Sequence, residues 1–257
     1  MSTSTQFQVS QVGPRLTGKT CVITGGGSGM GRAAVERFLA EGGDVVALDI
    51  NEEGLGSLKD AHGFDHLLTM RCDVADRSSS DAAVDATLDR FGKLDVYFAN
   101  AGLPFIAKPI EETTDAEWDR IMDVNVKALF IAAQKIVPIM KEGGGGSIII
   151  TASMAGLRPR PNLLPYTVSK GAAAHMAKAL AIELAPDLIR VNAVCPVAAD
   201  TPMLRQFGAG DHITPNATPL GRLASAEDVA AAALYFASDD GGFITGVTLP
   251  VDGGRGI

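Results

Sequence analysis

Short apolar runs alternate with longer amphipathic runs along most of the chain. Most of the short runs are apolar throughout, which is typical of parallel strands covered on both faces. They predict strands at Thr20–Thr24, Asp44–Asp49, Leu67–Arg71, Leu94–Phe98, Ser147–Ala152, Ile189–Val194 and Val247–Val251. The longer runs predict helices near 30–41, 51–60, 79–91, 115–141, 166–185 and 226–237. This alternation predicts an α/β fold with a doubly wound, seven-stranded parallel sheet and helices on both faces.

Local signals mark several helix ends and help to define the domain. The run Thr114-Asp115-Ala116-Glu117 is a capping box, and Ser225 precedes an acidic first turn. Pro186 predicts the end of the preceding helix, because proline cannot continue a helical hydrogen-bond ladder. No internal repeat or long linker interrupts the pattern. We therefore expect a flexible arm at 1–14 and one domain at 15–257.

Length and charge exclude several classes of protein. The 257 residues suit one large α/β domain, and the net charge of −8 with a pI near 5.0 disfavours nucleic-acid partners. The N-terminal arm carries no apolar signal segment. No run of about 18 apolar residues predicts a membrane span.

The cysteines and histidines do not predict a metal site. Cys21, Cys72 and Cys195 lie in apolar, strand-like runs without ligand spacing, which favours buried side chains in a reducing, cytoplasmic protein. The histidines form no ligand pair on one element: His62, His66, His175 and His212.

A glycine-rich turn joins the first predicted strand to the first predicted helix. The run from Thr24 to Gly31 contains five glycines, which permit positive φ and close approach to a pyrophosphate at a helix N-terminus. Asp49 ends the next strand, 18 residues after Gly31, where a carboxylate accepts hydrogen bonds from ribose hydroxyls and repels a 2′-phosphate. The turn and Asp49 predict NAD rather than NADP. A solvated strand-end acid is the alternative interpretation of Asp49.

Six motifs in chain order resemble those of the short-chain dehydrogenase/reductase family, over about residues 18 to 254. They are the glycines Gly25, Gly29 and Gly31, then Cys72-Asp73-Val74, Asn100-Ala101-Gly102, Asn125, Ser153, and Tyr166-Thr167-Val168-Ser169-Lys170. The resemblance implies a single-domain Rossmann fold and an NAD-dependent oxidoreductase acting on CH–OH donors.

The resemblance also implies the residues of a cofactor site. They are Gly25, Ser28, Gly29, Met30, Gly31, Asp49, Ile50, Asp73, Val74, Asn100, Ala101, Gly102, Tyr166, Lys170, Pro196, Val197, Ala199 and Thr201. Within this set Asp73 is expected to accept from the adenine amine, and Lys170 to hold the nicotinamide ribose. Asn125 is expected to anchor a water that feeds protons to Lys170.

The pair Tyr166 and Lys170 also suggests acid–base chemistry on physical grounds. Four residues apart, the two side chains lie on one helix face. An ammonium about 4 Å from the phenol is worth roughly 4 kcal/mol at an effective dielectric near 20. It could lower the tyrosine pKa from about 10 by up to about three units. Tyr166 is then a plausible general acid/base, and Ser153 would hydrogen-bond the substrate oxygen.

Each of these side chains also has a purely structural interpretation. An isolated Tyr-x-x-x-Lys is more often a surface pair, and Ser153 could cap or turn the chain. Asn125 could satisfy a helix or loop backbone.

The sequence departs from the family after the sixth strand. The family usually has Pro-Gly where this chain has Pro196-Val197. A side chain there narrows the space beside the nicotinamide or the substrate. Ala199 can keep its backbone contact with the carboxamide, and Thr201 keeps a hydroxyl for the pyrophosphate side.

Three segments should line the substrate pocket: Leu103–Pro109, Met154–Leu164 and Met203–Pro219. They are largely apolar, through Leu103, Phe105, Ile106, Met154, Leu157, Leu163, Leu164, Met203 and Phe207. Gly208 and Gly210 predict a mobile lid at about 203–220. The pocket suits a moderately hydrophobic secondary alcohol or ketone. Arg158 and Arg160 either grip an acidic substrate group or are simply solvated.

Two other functions compete with the alcohol dehydrogenase or ketone reductase. The family includes 3-oxoacyl thioester reductases, and Asp49 argues against that activity where the cofactor would be NADPH. A catalytically silent NAD sensor has no need of Ser153, Tyr166 and Lys170 together. The resemblance further implies a homotetramer with interfaces at the helices near 115–141 and 166–185. No membrane or nucleic-acid partner is expected.

Overall fold

A computed structural model describes residues 13–197 and 218–257. Within them, seven strands form one parallel sheet in the order β3-β2-β1-β4-β5-β6-β7. The strands are β1 Thr20–Thr24, β2 Asp44–Asp49, β3 Leu67–Arg71, β4 Val96–Ala99, β5 Gly146–Thr151, β6 Ile189–Pro196 and β7 Thr248–Val251. The doubly wound sheet predicted from the apolar runs is confirmed.

Helices cover both faces of the sheet, as predicted. They are α1 Gly29–Ala40, α2 Glu52–His62, α3 Arg77–Phe91, α4 Asp115–Met122, α5 Ala128–Glu142, α6 Met154–Leu157, α7 Leu164–Leu184 and α8 Ala226–Ala237. A π-helix at Asp123–Lys127 separates α4 from α5. The helix predicted near 115–141 is therefore present, with a π-helical segment inside it that the sequence did not predict.

The bounds of β4, β5, β6 and β7 differ from the predicted runs by one or two residues. The fourth strand begins at Val96, and just before it Asp95 Oδ2 accepts the Thr20 amide at 2.7 Å. The predicted turn of four glycines ends one residue early, since Gly146 already pairs with Ile189 as the first residue of β5. Pro186 ends α7 as predicted, with a 3-10 turn at Ala185–Asp187.

The core consists of two apolar layers, one on each face of the sheet. Helices α3, α5 and α7 supply one layer, and α1, α2 and α8 the other. All strands are parallel, so their carboxyl ends meet at one edge. The chain leaves β1 and β4 in opposite directions, which opens a crevice at that edge where α/β proteins bind ligands. Among the described residues, no helix combines the length and apolarity needed to cross a bilayer.

Candidate active site

The glycine-rich turn lies at the crevice and brings backbone against backbone. Gly25 and Gly29 have φ of +67° and +50°, in the region that favours glycine. A Cβ at Gly31 would overlap the carbonyl oxygen of Gly25, so no other residue fits there without displacing the backbone. Helix α1 begins at Gly29, with Ser28 as its N-cap and no acidic residue in its first turn. Its N-terminus is therefore suited to an anion.

Asp49 is held in place by the backbone on both sides. Its Oδ2 accepts the Gly27 amide and its Oδ1 accepts the Asn51 amide, each at 2.9 Å. A Cβ at Gly27 would lie 3.0 Å from the same Oδ2, so the turn needs glycine there for the carboxylate to approach. The next residue, Ile50, is 61% exposed. The carboxylate is thus held by local backbone contacts, and its ribose role stays a prediction.

Asn100, Ala101 and the ends of two strands form a network that the sequence analysis missed. Thr24 Oγ1 accepts the amides of Asn100 and Ala101 at 2.9 Å, and the Asn100 Nδ2 donates to the Thr24 carbonyl at 3.1 Å. Thr151 donates its hydroxyl to Asn100 Oδ1 at 3.1 Å. Hydroxyl residues at the carboxyl ends of β1 and β5 were the available signal.

The segment after β3 lies at the same edge. Asp73 Oδ1 accepts the Ala75 amide at 3.0 Å, which closes a local turn, and Ser79 Oγ accepts the Asp73 amide at 3.1 Å. Val74 packs against the core layer of α3, α5 and α7. Nothing in these contacts tests the adenine role expected for Asp73.

Ser153 and Tyr166 are brought together from opposite ends of a loop. Ser153 follows β5 and Tyr166 lies in the first turn of α7, and a side-chain hydrogen bond joins them. Ser153 also caps the short helix α6, its Oγ accepting the Ala155 amide at 3.1 Å. The capping interpretation is thus present alongside the contact with Tyr166. Cys195, at the end of β6, lies near the backbone of Ser153, and burial raises the pKa of its thiol to about 11.

Lys170 is buried one turn along α7 from Tyr166. Its ammonium donates to the Thr151 carbonyl at 2.8 Å and lies 5.9 Å from the centroid of the Tyr166 ring. Burial lowers the pKa of Lys170 to about 8.

The pKa of Tyr166 does not shift as the sequence suggested. Burial raises the pKa of the Tyr166 phenol above its ordinary value, and the hydrogen bond from Ser153 opposes this rise. The predicted lowering by Lys170 was wrong for the protein alone, where desolvation of the buried phenol is the largest influence on its pKa. Any lowering must come from a further positive charge, such as the oxidised nicotinamide.

Asn125 lies in the π-helix and is 2% exposed. Its Oδ1 accepts the Leu103 amide at 2.7 Å, and its Nδ2 donates to the Leu103 carbonyl at 3.1 Å. Its Nδ2 also donates to Ser169 Oγ at 3.1 Å. The side chain therefore satisfies a loop backbone, which is the structural interpretation that the sequence left open. Single-turn π segments inside α-helices are frequent at functional sites.

Val197 directly follows β6, at the carboxyl edge of the sheet. Val197 is buried against Met30, Met154 and Ala224, so it connects the glycine-rich turn to the helix after Ser153. Its amide donates to the Val251 carbonyl at 3.1 Å. Its effect on the space beside the nicotinamide or the substrate stays a prediction.

The predicted pocket segments 103–109 and 154–164 lie against each other. The Lys108 amide donates to the Asn162 carbonyl at 2.9 Å, and Leu103, Phe105 and Leu163 pack in one apolar cluster with Tyr166. The other apolar residues of these segments are partly or largely exposed: Ile106, Met154, Leu157 and Leu164. Arg158 and Arg160 are exposed too.

Some predicted residues lie outside the described ranges. They are the arm at 1–12 and, in the cofactor and lid segments, Ala199, Thr201, Met203, Phe207, Gly208 and Gly210. Within 13–197 and 218–257, no group of three or more His, Cys, Asp or Glu side chains is arranged to hold a metal ion. The three cysteines are free and buried.

Comparison with known proteins decides the family. Residues 25–255 match the family model described as enoyl-(acyl carrier protein) reductase. The chain belongs to the short-chain dehydrogenase/reductase family. It is an oxidoreductase of that family, whose members act on alcohol and ketone groups.

Individual relatives cover nearly the whole chain. The 4-formylbenzenesulfonate dehydrogenase of Comamonas testosteroni is 38% identical over 94% of this chain and 99% of its own. The 3-oxoacyl-(acyl-carrier-protein) reductase of Thermotoga maritima is 37% identical over 93% and 98%. The crystal structure of 3-ketoacyl-(acyl-carrier-protein) reductase from Brucella melitensis, complexed with NADH, has a TM-score of 0.89 and 40% identity. That match covers 94% of this chain and 99% of the other.

Proposed function

We propose that this protein transfers a hydride between NAD(H) and a secondary alcohol or ketone, with Tyr166 as the general acid/base. The observation that carries the proposal is the joining of Ser153 to Tyr166 by a hydrogen bond, with the buried Lys170 ammonium beside them. A catalytically silent sensor would need the glycine-rich turn but would have no use for a buried ammonium.

The residues at the crevice fit a dinucleotide. The missing Cβ at Gly31 and the positive φ of Gly25 and Gly29 let a pyrophosphate approach the start of α1. Asp49, already oriented by two backbone amides, presents its carboxylate where an adenosine ribose would donate. Its charge favours NAD, since a 2′-phosphate would be repelled. Ile50, largely exposed, offers an apolar surface next to it.

The protein side chains divide the remaining work. NAD, when bound, supplies or accepts the hydride and carries a positive nicotinamide in its oxidised form. Tyr166 moves a proton to or from the substrate oxygen, and Ser153 donates a hydrogen bond to that oxygen as charge develops. Lys170 adds positive charge near the phenol and holds the nicotinamide ribose. Asn125 fixes the neighbouring backbone, and a water bound there would return protons to Lys170.

The substrate we propose is a moderately hydrophobic secondary alcohol or ketone. The apolar cluster of Phe105, Leu103 and Leu163 around Tyr166 supports this choice. Arg158 and Arg160 are exposed on the pocket loop, where their positive charges could also bind an acidic group of a substrate. The relative from Comamonas testosteroni is named for a sulfonated aldehyde, so the substrate screen should include compounds with an acidic group.

A second candidate is a 3-oxoacyl thioester reductase. Two of the relatives are named as reductases of carrier-protein thioesters, and one of those was crystallised with NADH. The expected objection from Asp49 therefore loses its force, because a preference for NADH no longer separates the two activities. The substrate itself must do so.

Assembly and location complete the proposal. We expect a homotetramer that uses the helices α4, α5 and α7; α5 exposes Phe130, and α7 exposes Val168 and Ile182. Three free, buried thiols fit a reducing cytoplasmic compartment.

The test combines binding and turnover. Purified protein is titrated with NADH and NADPH by cofactor fluorescence. Secondary alcohols and ketones, and a 3-oxoacyl thioester, are then screened with the preferred cofactor. We expect tighter binding of NADH, turnover of an alcohol or ketone, and a loss of about 10³-fold in Tyr166→Phe with NADH binding retained. Tighter binding of NADPH, or turnover unchanged in Tyr166→Phe, would overturn the proposal, and selective turnover of the thioester would favour the second candidate.

A further inference from the structure

Ser169 lies between Tyr166 and Lys170 in sequence and is fully buried. Its hydroxyl donates to the Tyr166 carbonyl at 2.8 Å, one turn back along α7. The same oxygen accepts a hydrogen bond from Asn125 Nδ2 at 3.1 Å. The first contact is common for a serine inside a helix. The second is a contact with another element, the π-helix.

Ser169 completes the hydrogen bonding of Asn125. Both hydrogens of the Asn125 amide are used, one on the Leu103 carbonyl and one on Ser169. The amide oxygen accepts from the Leu103 amide. A continuous series of hydrogen bonds thus runs from the loop after β4, through the π-helix, to the first turn of α7.

The orientation of Asn125 matters because its amide borders the same space as the ammonium of Lys170. A Cβ at Gly102 would lie 3.1 Å from Asn125 Oδ1 and 3.1 Å from Lys170 Nζ. A rotated Asn125 amide would therefore disturb the surroundings of Lys170 and the backbone at Gly102 and Leu103.

We propose that Ser169 is a positioning residue, whose hydroxyl sets the Asn125 amide and thereby the cofactor-side loop and the surroundings of Lys170. The proposal rests on the proposed function for its kinetic test, and on cofactor binding for an independent one. It distinguishes Ser169 from a serine that merely stabilises its own helix, because the bond from Asn125 crosses to a different element.

The chain offers a matched control two residues away. Thr167 carries a buried hydroxyl on the same turn of α7, and this hydroxyl has no hydrogen-bond partner within the described residues. Thr167→Val removes that hydroxyl with little change of shape. Ser169→Ala removes the hydroxyl that Asn125 needs. Ser169→Cys keeps a weak acceptor of similar size and serves as a partial rescue.

The experiment measures kcat, KM, the NADH dissociation constant by fluorescence and the melting temperature for each variant. We expect Ser169→Ala to lower kcat about 10-fold with KM little changed, and to weaken NADH binding several-fold. The kcat and NADH affinity of Ser169→Cys should lie between those of Ser169→Ala and those of the unmodified protein. Thr167→Val should match the unmodified protein. The double variant Asn125→Ala/Ser169→Ala should have nearly the same kcat as Asn125→Ala alone, since both substitutions remove the same hydrogen bond.

Two results would overturn the proposal. One is a Ser169→Ala protein that melts earlier but keeps its kcat and NADH affinity. The other is a loss of kcat in the double variant equal to the product of the single losses. If no substrate is turned over, the proposed function fails, but the NADH affinities of Ser169→Ala, Ser169→Cys and Thr167→Val still decide the role of Ser169.

Discussion

The two halves of the crevice are built by different means. On the side of β1 and β2, the site is formed mainly by backbone groups. The glycine-rich turn packs on itself, and Asp49 accepts hydrogen bonds from two backbone amides. On the side of β5 and α7, side chains from separate segments meet in a buried cluster around Tyr166 and Lys170. The first side carries a fixed negative charge and the second a buried positive one.

The difference shows which kind of change each half tolerates. A site made from backbone depends on residues that lack side chains, so adding one atom disrupts it. A site made from side chains depends on partners distant in sequence, so removing one group weakens chemistry before it weakens the fold. Five predictions test this contrast, from the largest expected effect to the smallest.

Gly31→Ala should be the most damaging, because the new Cβ overlaps the Gly25 carbonyl. We expect a loss of more than about 4 kcal/mol of unfolding free energy, with NADH binding lost. Gly56→Ala is the control, since nothing lies within 4 Å of a Cβ at that helical position. It should stabilise the protein by about 0.5–1 kcal/mol. Urea unfolding measures both, and equal stabilities would contradict a backbone-built turn.

Ser153→Ala should lower kcat by about 10²–10³-fold, as expected for loss of one donor to a developing oxyanion. The binding of NADH should change less than about threefold, since Ser153 lies on the other half. Removing the cap of α6 should cost about 1 kcal/mol of stability. Stopped-flow kinetics with fluorescence titration separates these effects, and an unchanged kcat would rule Ser153 out of the chemistry.

Asp49→Asn should change the cofactor preference without touching the chemistry. The amide loses the charge that repels a 2′-phosphate, and it keeps only one of the two oxygens that accept backbone amides. The ratio of NADPH to NADH affinity should rise about 10- to 100-fold, or about 1.4–2.8 kcal/mol. Asp44→Asn, at the other end of β2, removes the same charge as a control and should leave the ratio unchanged. A ratio that moves equally in both variants would point to overall charge instead.

Lys170→Met should alter how stability depends on pH. The lowered pKa of Lys170, about 8, means that the unfolded chain holds its proton more tightly than the native protein. The unmodified protein should therefore gain stability relative to the variant as the pH rises from about 8 towards 10.5. The gain expected between pH 7 and 9.5 is about 1–2 kcal/mol.

Urea titrations at the two pH values measure this difference. Comparison with the variant cancels the groups common to both proteins, although Tyr166 and Cys195 lie against Lys170 and are coupled to it. A difference that shrinks or reverses with rising pH would show that the ammonium is not desolvated as described.

Cys195→Ala should have the smallest effect on chemistry. The thiol lies near the backbone amide of Ser153, and sulfur is at most a weak acceptor, so kcat should fall less than about threefold. Cys21→Ala removes an equally buried thiol in β1, on the other half, and should leave kcat unchanged. Similar kcat values for both variants would mean that the thiol does not help to position Ser153.

The sequence predicted backbone-determined features better than side-chain contacts. The bounds of β1, β2 and β3 agree with their apolar runs, and the glycine-rich turn was apparent because glycine itself encodes the geometry. The structure places Ser153, Tyr166 and Lys170 together, although their roles stay predictions. The pKa direction of Tyr166 was wrong because it depends on burial, which spacing along one helix does not reveal.

Other features were missed because they depend on contacts across the chain. The hydroxyls of Thr24, Thr151 and Ser169 bind partners in other elements 44 to 77 residues away, and a hydroxyl at a strand end has many common uses. The π-helix at Asp123–Lys127 was hidden because its sequence keeps the composition of the helices on either side.

That π-helix also sets the rotational phase between α4 and α5. A π turn holds one residue more than an α turn, so α5 is rotated by about 100° relative to an uninterrupted continuation of α4. Helix α4 can thus direct Ile121 towards Phe105 and Tyr166, while α5 directs Leu129 and Ile136 into the sheet. Deleting one residue from 123–127 would restore a regular helix and bring the two apolar stripes out of register with their partners. After such a deletion, the apolar positions along the whole of α5 would have to change for the helix to pack on the sheet again.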